Sequence, residues 1–139
     1  MLHLAGSTYA EMVALAYDGL PDEACGLLAG VPASAVVERF YPCRNAAASS
    51  RVYTVEPIDH LRAERDAEQR GLEIIGVMHS HTHTDAYPSP TDVGQAPDPS
   101  WHYVIVSLRD DAPTLRSFRI ASDDVTEEPV SVLDRPGIA

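Results

Sequence analysis

Residues 72–81 read LEIIGVMHSH, an apolar, β-branched run that ends on a polar tip. Such a run suits a buried strand covered on both faces. A second run of the same kind, YVIVSL at 103–108, predicts a neighbour, and the pair is expected at the sheet centre. Ser7 is placed to cap a helix that runs to Asp18, with Met12, Leu15 and Ala16 on one face and Gly19 and Pro21 ending it. Residues 24–29 and 35–41 predict two strands joined as a hairpin, and 51–55 (RVYTV) alternates as a further strand. Residues 57–70 predict a charge-rich helix that Gly71 stops. After the turn DDAP, 114–120 alternates as a strand, and 125–133 predicts a last edge strand interrupted by Pro129. The fold class is therefore mixed α/β.

A length of 139 residues corresponds to one domain at roughly 100–200 residues each, so 1–139 is expected to form a single unit. Neither a repeat nor a charge block divides it, and the one Pro/Ser-rich patch, 87–100, lies mid-chain. All ten basic residues are arginine, against 21 carboxylates, which gives a formal charge of −11. That balance repels nucleic acid and anionic lipid. Without lysine, a P-loop lysine, a Schiff base and a Ser-Lys dyad are excluded. Two cysteines, Cys25 and Cys43, are too few for a disulfide framework or a four-thiolate zinc site. The start lacks a basic segment leading into an apolar one, and no run approaches the roughly 20 apolar residues that cross a bilayer. A cytoplasmic protein is the default expectation, and monomer and homodimer both stay open.

The chemistry concentrates in His79-Ser80-His81, seven further residues, then Ser89-Pro90-Thr91-Asp92. At a strand end, residues i and i+2 share a face roughly 6.5–7 Å apart at Cα, so the imidazoles of His79 and His81 can converge on one ion while Ser80 faces away. A hydrolytic zinc site takes three nitrogen or oxygen ligands and keeps a fourth position for water. Asp92 is placed to supply the third. Ser89-Pro90-Thr91-Asp92 has the order of a helix start, with Ser at the cap, Pro at the first position and an acid in the first turn, so the carboxylate rides on a rigid element. A base must still take the water's proton and pass it to the leaving nitrogen. Glu23, in the helix-to-strand junction PDEACG, is the candidate, and the Ser89 hydroxyl is placed to donate to an oxyanion. Taken singly, Asp92 reads as a capping carboxylate, Ser89 as a cap and Glu23 as a surface acid, so the joint pattern carries the case.

A distant Glu, then H-x-H, seven residues and S-x-x-D resembles the motif of the JAMM or MPN+ metalloproteases, and every motif position is filled here. The resemblance implies His79, His81 and Asp92 as Zn2+ ligands, Glu23 as general acid/base and Ser89 as the oxyanion-side residue. It also implies a cytidine-deaminase-like αβα sandwich, a mixed sheet flanked by helices (the JAB1/MPN domain). Beyond the motif, PDEACGLLAG, HSHT, AYPSPTDV, HYVIVSLRD, LRSFRI and VTEEPV resemble a branch of that family that releases cysteine from the C-terminal glycine of a ubiquitin-like sulfur carrier protein. That similarity implies a hydrolase in cysteine biosynthesis whose partner is a small carrier with a Gly-Gly tail. The alternatives are a JAMM peptidase acting on another ubiquitin-like conjugate or carrier, and a non-catalytic MPN scaffold.

His83 adds a third histidine at the same spacing, and a longer strand would give a three-histidine site, but Thr82 onward reads as loop. Cys25, two residues from Glu23, reads as packing rather than as a nucleophile. Cys43 lacks the C-x-x-C that zinc deaminases need, which argues against deamination. His3, His60 and His102 have no partners that the sequence names.

Overall fold

A computed structural model gives the fold, with residues 1–133 described. In chain order the elements are β1 (Leu2–Ala5), α1 (Gly6–Asp18), β2 (Cys25–Gly30), β3 (Arg39–Cys43), α2 (Pro57–Gln69), β4 (Glu73–His81), α3 (Pro90–Gly94), β5 (His102–Ser107), β6 (Thr114–Ala121), β7 (Asp124–Glu128) and β8 (Val130–Leu133). Six strands form one mixed sheet in the order β3-β2-β4-β5-β6-β7. Only β4 and β5 run parallel within it, and the other neighbours are antiparallel. The two apolar runs are thus the two central strands, as their composition predicts.

The alternation of side chains along each strand divides the core into two layers. Leu27, Val77, Tyr103 and Phe118 stand side by side across four strands and pack against Ala63 of α2. On the opposite face Leu28, Met78, Val104 and Val106 pack against Met12 and Ala16 of α1. Each of these large aliphatic side chains gains about 1.5–3 kcal/mol from burial, and the strands are held from both sides. Gly76 shows how closely β4 meets β5: a Cβ there would lie 2.3 Å from the carbonyl oxygen of His102, so only glycine fits in this apolar run. Gly71 has φ +72° and ends α2 in the left-handed region that glycine takes without strain.

Four expectations need correction. The first helix starts at Gly6 with Ala5 at its N-cap, and Ser7 makes no cap because β1, which carried no clear sequence signal, runs straight into the helix. Strand β3 begins only at Arg39, since Ala33 and Ala35 adopt positive φ and break the extended backbone before it. Residues 51–55 do not form a strand. The Asn45 side chain accepts from the amides of Ala47 and Thr54 and donates to the carbonyls of Glu23 and Val52, taking groups a ladder would need. Only the Asn45–Val55 bridge remains.

The predicted last edge strand is two strands in different sheets. Pro129, with no N–H to donate, separates β7 from β8, and β8 leaves the main sheet to pair in parallel with β1. His102 has a partner after all: its Nδ1 lies 2.6 Å from Glu128 Oε2, which also accepts from the Ser117 hydroxyl at 2.7 Å. Burial alone would push the Glu128 carboxyl up, but these two bonds outweigh it and hold the group below its ordinary value.

Candidate metal centre

His79 and His81 occupy the C-terminal tip of β4 on the face that carries Val77, where the crossover to β5 leaves an open end beside two parallel strands. The intervening loop carries α3, and its start brings Asp92 to the same tip. Ser89 Oγ accepts from the Asp92 amide at 3.0 Å, and Asp92 Oδ2 accepts from the Ser89 amide at 2.9 Å. This reciprocal capping box locks the carboxylate in one orientation.

The three ligand candidates meet as a near-equilateral triangle. His79 Nε2, His81 Nε2 and Asp92 Oδ2 are each 3.1 Å from the other two, and all three residues are buried. Ligand atoms around a tetrahedral zinc, at about 2.0–2.1 Å each, stand roughly 3.3 Å apart, so the donor set and its spacing fit a divalent ion. Protonation supports the fit. His81 Nδ1 sits 2.6 Å from the Asp85 carbonyl, a bond that requires hydrogen on Nδ1 and turns the Nε2 lone pair toward the triangle. Three electron-rich atoms facing one another repel unless a cation lies between them.

The same contacts shift the proton affinities of the three groups. Burial disfavours a charged His79 and lowers its pKa. Burial also acts against His81, but bonds to Asp92 and Asp85 outweigh it and raise its pKa. Asp92 is pushed up by burial and more strongly down by the two imidazoles, which leaves it far below the usual carboxylate range. A metal needs the neutral imidazole of His81 as ligand, so a raised proton affinity there makes metal binding stronger as pH rises.

Glu23 is 4% exposed and lines the same cavity of about 500 Å³ as His81 and Ser89. Its Oε1 has no hydrogen-bond partner among the described residues. Burial is the main cause that pushes its carboxyl up to about 7, with His81 pulling down and Asp92 pushing up. A carboxyl with this affinity can both take and return a proton near neutral pH. Ser89, already accepting from Asp92, keeps its hydroxyl hydrogen free to donate.

Three residues at the site escaped sequence reasoning. Ser80 points to the opposite face, where its Oγ accepts from the Ala24 amide at 2.7 Å while its own amide donates to the Ala24 carbonyl at 2.9 Å. This clasp fixes Glu23, one residue earlier, against the strand tip. Tyr53 stacks on His79 with ring centroids 4.3 Å apart and planes inclined by 16°. Asn45 holds the Glu23 carbonyl at 3.0 Å. The motif spacing carries no sign of either: Tyr53 comes from the segment whose strand never forms, and Asn45 from the turn after β3 that captures that segment.

His83 lies outside the triangle, exposed, with Nδ1 2.8 Å from Thr82 Oγ1. Cys25 stands opposite His79 in register. Burial pushes its thiol up to about 12 and that of Cys43 to about 11, so both stay protonated and unreactive at neutral pH.

The family described as prokaryotic homologs of the JAB domain matches residues 6–121. The chain belongs to the JAB-domain family. It is 46% identical over 125 residues to the CysO-cysteine peptidase of Mycobacterium tuberculosis, covering 89% of this chain and 86% of that one. Among solved structures, a protein from Desulfitobacterium hafniense superposes with a TM-score of 0.89 at 38% identity, over 97% of this chain and 94% of that one. A JAB1/MPN domain protein from Archaeoglobus fulgidus shares the fold, with a TM-score of 0.61 at 16% identity over 96% of this chain and 97% of that one. The six-stranded mixed sheet between α1 and α2 is thus the JAB1/MPN architecture, and the JAB-domain chain is a peptidase of that family. Among the described residues no helix is long and apolar enough to cross a membrane.

Proposed function

We propose that this JAB-domain protein is a zinc peptidase that hydrolyses the amide between the C-terminal glycine of a small ubiquitin-like sulfur carrier and cysteine, releasing cysteine for biosynthesis. One observation carries the reading: a buried triangle of two imidazoles and a carboxylate faces a cavity that also holds a protonatable, unpartnered Glu23. The name of the mycobacterial relative supports the carrier and the leaving amine.

His79, His81 and Asp92 hold the metal, which when bound supplies a Lewis acid and lowers the pKa of water to about 7. Glu23 takes a proton from the attacking water and delivers it to the departing amine. Ser89 donates its hydroxyl hydrogen to the oxygen that gains charge as the carbonyl is attacked. Tyr53 closes one face of the His79 ring to solvent. A trough of about 540 Å³, lined by Leu27, Tyr53, Val55, Val77 and Trp101, takes the narrow Gly-Gly tail in extended form. Residues 1–139 act as one domain, and the −11 charge favours a carrier with a basic face around its tail.

Metal analysis coupled to a cleavage assay tests this. The zinc-loaded protein is expected to bind one zinc per chain and release free cysteine from CysO carrying a C-terminal cysteine. Chelation should abolish release and added zinc restore it. A fully loaded protein that leaves the adduct intact would overturn the proposal.

Ser80 is a positioning residue in this scheme. Ser80→Ala strips the Ala24 amide of its buried partner, at about 1–3 kcal/mol of stability, and loosens Glu23 while leaving the imidazoles in place. Zinc content should hold, kcat should fall about tenfold and KM should change little. Loss of zinc with kcat per loaded site intact would show instead that the clasp serves the ligands.

A further inference from the structure

Arg51 lines the cavity that contains Glu23, His81 and Ser89. In a chain of −11, arginines readily find acids: Arg39, Arg44, Arg70, Arg109, Arg116 and Arg119 all form ion pairs. Arg51, like Arg62 and Arg65, forms none among the described residues, but of these three only Arg51 shares its cavity with Glu23. An exposed guanidinium left free beside the reacting groups is available to an anion on the substrate.

Its backbone is also held, which a mere surface arginine does not require. The Ser49 carbonyl accepts from the Glu23 amide at 2.8 Å, and the Ser49 hydroxyl accepts from the Arg51 amide at 3.0 Å. The Ser50 carbonyl accepts from the Thr82 hydroxyl at 3.3 Å, and the Val52 carbonyl from the Asn45 side chain at 3.1 Å. Residues on both sides of Arg51 are therefore tied to the elements that carry Glu23 and His81.

The leaving amine decides which anion fits. Glu23 protonates the departing nitrogen, so the leaving group occupies Glu23's cavity. If that group is an α-amino acid, its free carboxylate lies one carbon from the nitrogen, about 2.5 Å away by standard bond lengths, within the same cavity as the Arg51 guanidinium, whose planar fork suits a carboxylate. A lysine side chain released from an isopeptide carries no charge at that distance.

We propose that Arg51 binds the free α-carboxylate of the leaving amino acid, and so makes this site select carrier–amino acid adducts over isopeptides of lysine side chains. The inference rests on the peptidase reading above and adds the residue that recognises its leaving amine. The bond broken is the same amide: water supplies oxygen to the carrier's glycine carbonyl and a proton to the amino acid nitrogen, while Arg51 changes charge on neither.

The test compares the zinc-loaded wild type, Arg51→Gln and Arg51→Lys on CysO carrying C-terminal cysteine as the free acid and as the cysteinamide. A charge-assisted bond predicts that the wild type prefers the acid by roughly 10- to 100-fold in kcat/KM, mostly through KM. In Arg51→Gln the acid-to-amide ratio should collapse toward about one, and Arg51→Lys should recover part of it. Equal wild-type turnover of acid and amide would overturn the inference alone. So would an Arg51→Gln defect that is the same on both substrates, as a structural role or a contact with the carrier would give. If the wild type cleaves neither, the peptidase reading fails and takes this inference with it.

Discussion

Glu23→Gln is expected to bind zinc normally, to lose about 10²- to 10⁴-fold in kcat, and to be more stable than the wild type when metal-free at pH 8. The two effects share one cause. Burial lifts the Glu23 carboxyl from 4.5 to about 7, so the folded chain holds that proton more tightly than the unfolded chain does. The stability linked to this group is complete below pH 4.5 and is lost as pH rises through 7. At about 1.4 kcal/mol per pH unit, the loss by pH 8 is on the order of 3 kcal/mol. Glutamine has no proton to lose and escapes that penalty. Melting curves with chelator present, from pH 4 to pH 8, should converge for the two proteins at the acid end and separate above pH 5. Curves that run parallel throughout would mean that Glu23 is ionised at little cost, and a variant with full turnover would remove it from proton transfer.

The second large effect concerns Asp92, whose Oδ2 serves the helix start and the metal triangle at once. Asp92→Asn retains a side-chain oxygen for the Ser89 amide but loses the anionic ligand, whereas Asp92→Ala loses both. With zinc at about 1,000 times its Kd the wild type should gain about 4 kcal/mol, roughly 10 °C or more in Tm. Neither variant should show that gain, and zinc affinity should fall at least about 100-fold. Without metal, Asp92→Asn should melt below the wild type, because it gives up the ionised contacts with His79 and His81 that hold the carboxyl down, and Asp92→Ala should lose about a further 1 kcal/mol for the missing bond to the helix start. Calorimetric titration together with melting separates the roles. An Asp92→Asn protein that takes up zinc like the wild type would exclude the carboxylate as a ligand.

How legible the site was follows from where its parts lie. His79, His81, Ser89 and Asp92 sit on one strand tip and one helix start, 13 residues apart at most in numbering, and local periodicity is enough to face them toward one point. Glu23 comes from another strand, and only the joint motif singled it out. Arg51 and Tyr53 come from a segment with the alternation of a strand, yet the side chain of Asn45, outside it, captures its backbone groups and shapes it into a loop. Side-chain capture of this kind leaves no period to detect. Length hid β1, which has only four residues, and the departure of β8 to pair with it joins distant parts of the chain, which composition cannot register.

The paired hydrogen bonds between Ala24 and Ser80 also set a tolerance. Because facing alternates residue by residue, β2 cannot creep along β4 by a single step and leave a weakened enzyme. One step would turn Glu23 to the α1 side and leave the imidazoles without a proton acceptor. Assembly of this centre is therefore all or nothing. A one-residue deletion within the junction that leads from Glu23 into β2 should silence it outright, whereas the loops farther from the clasp have latitude to drift.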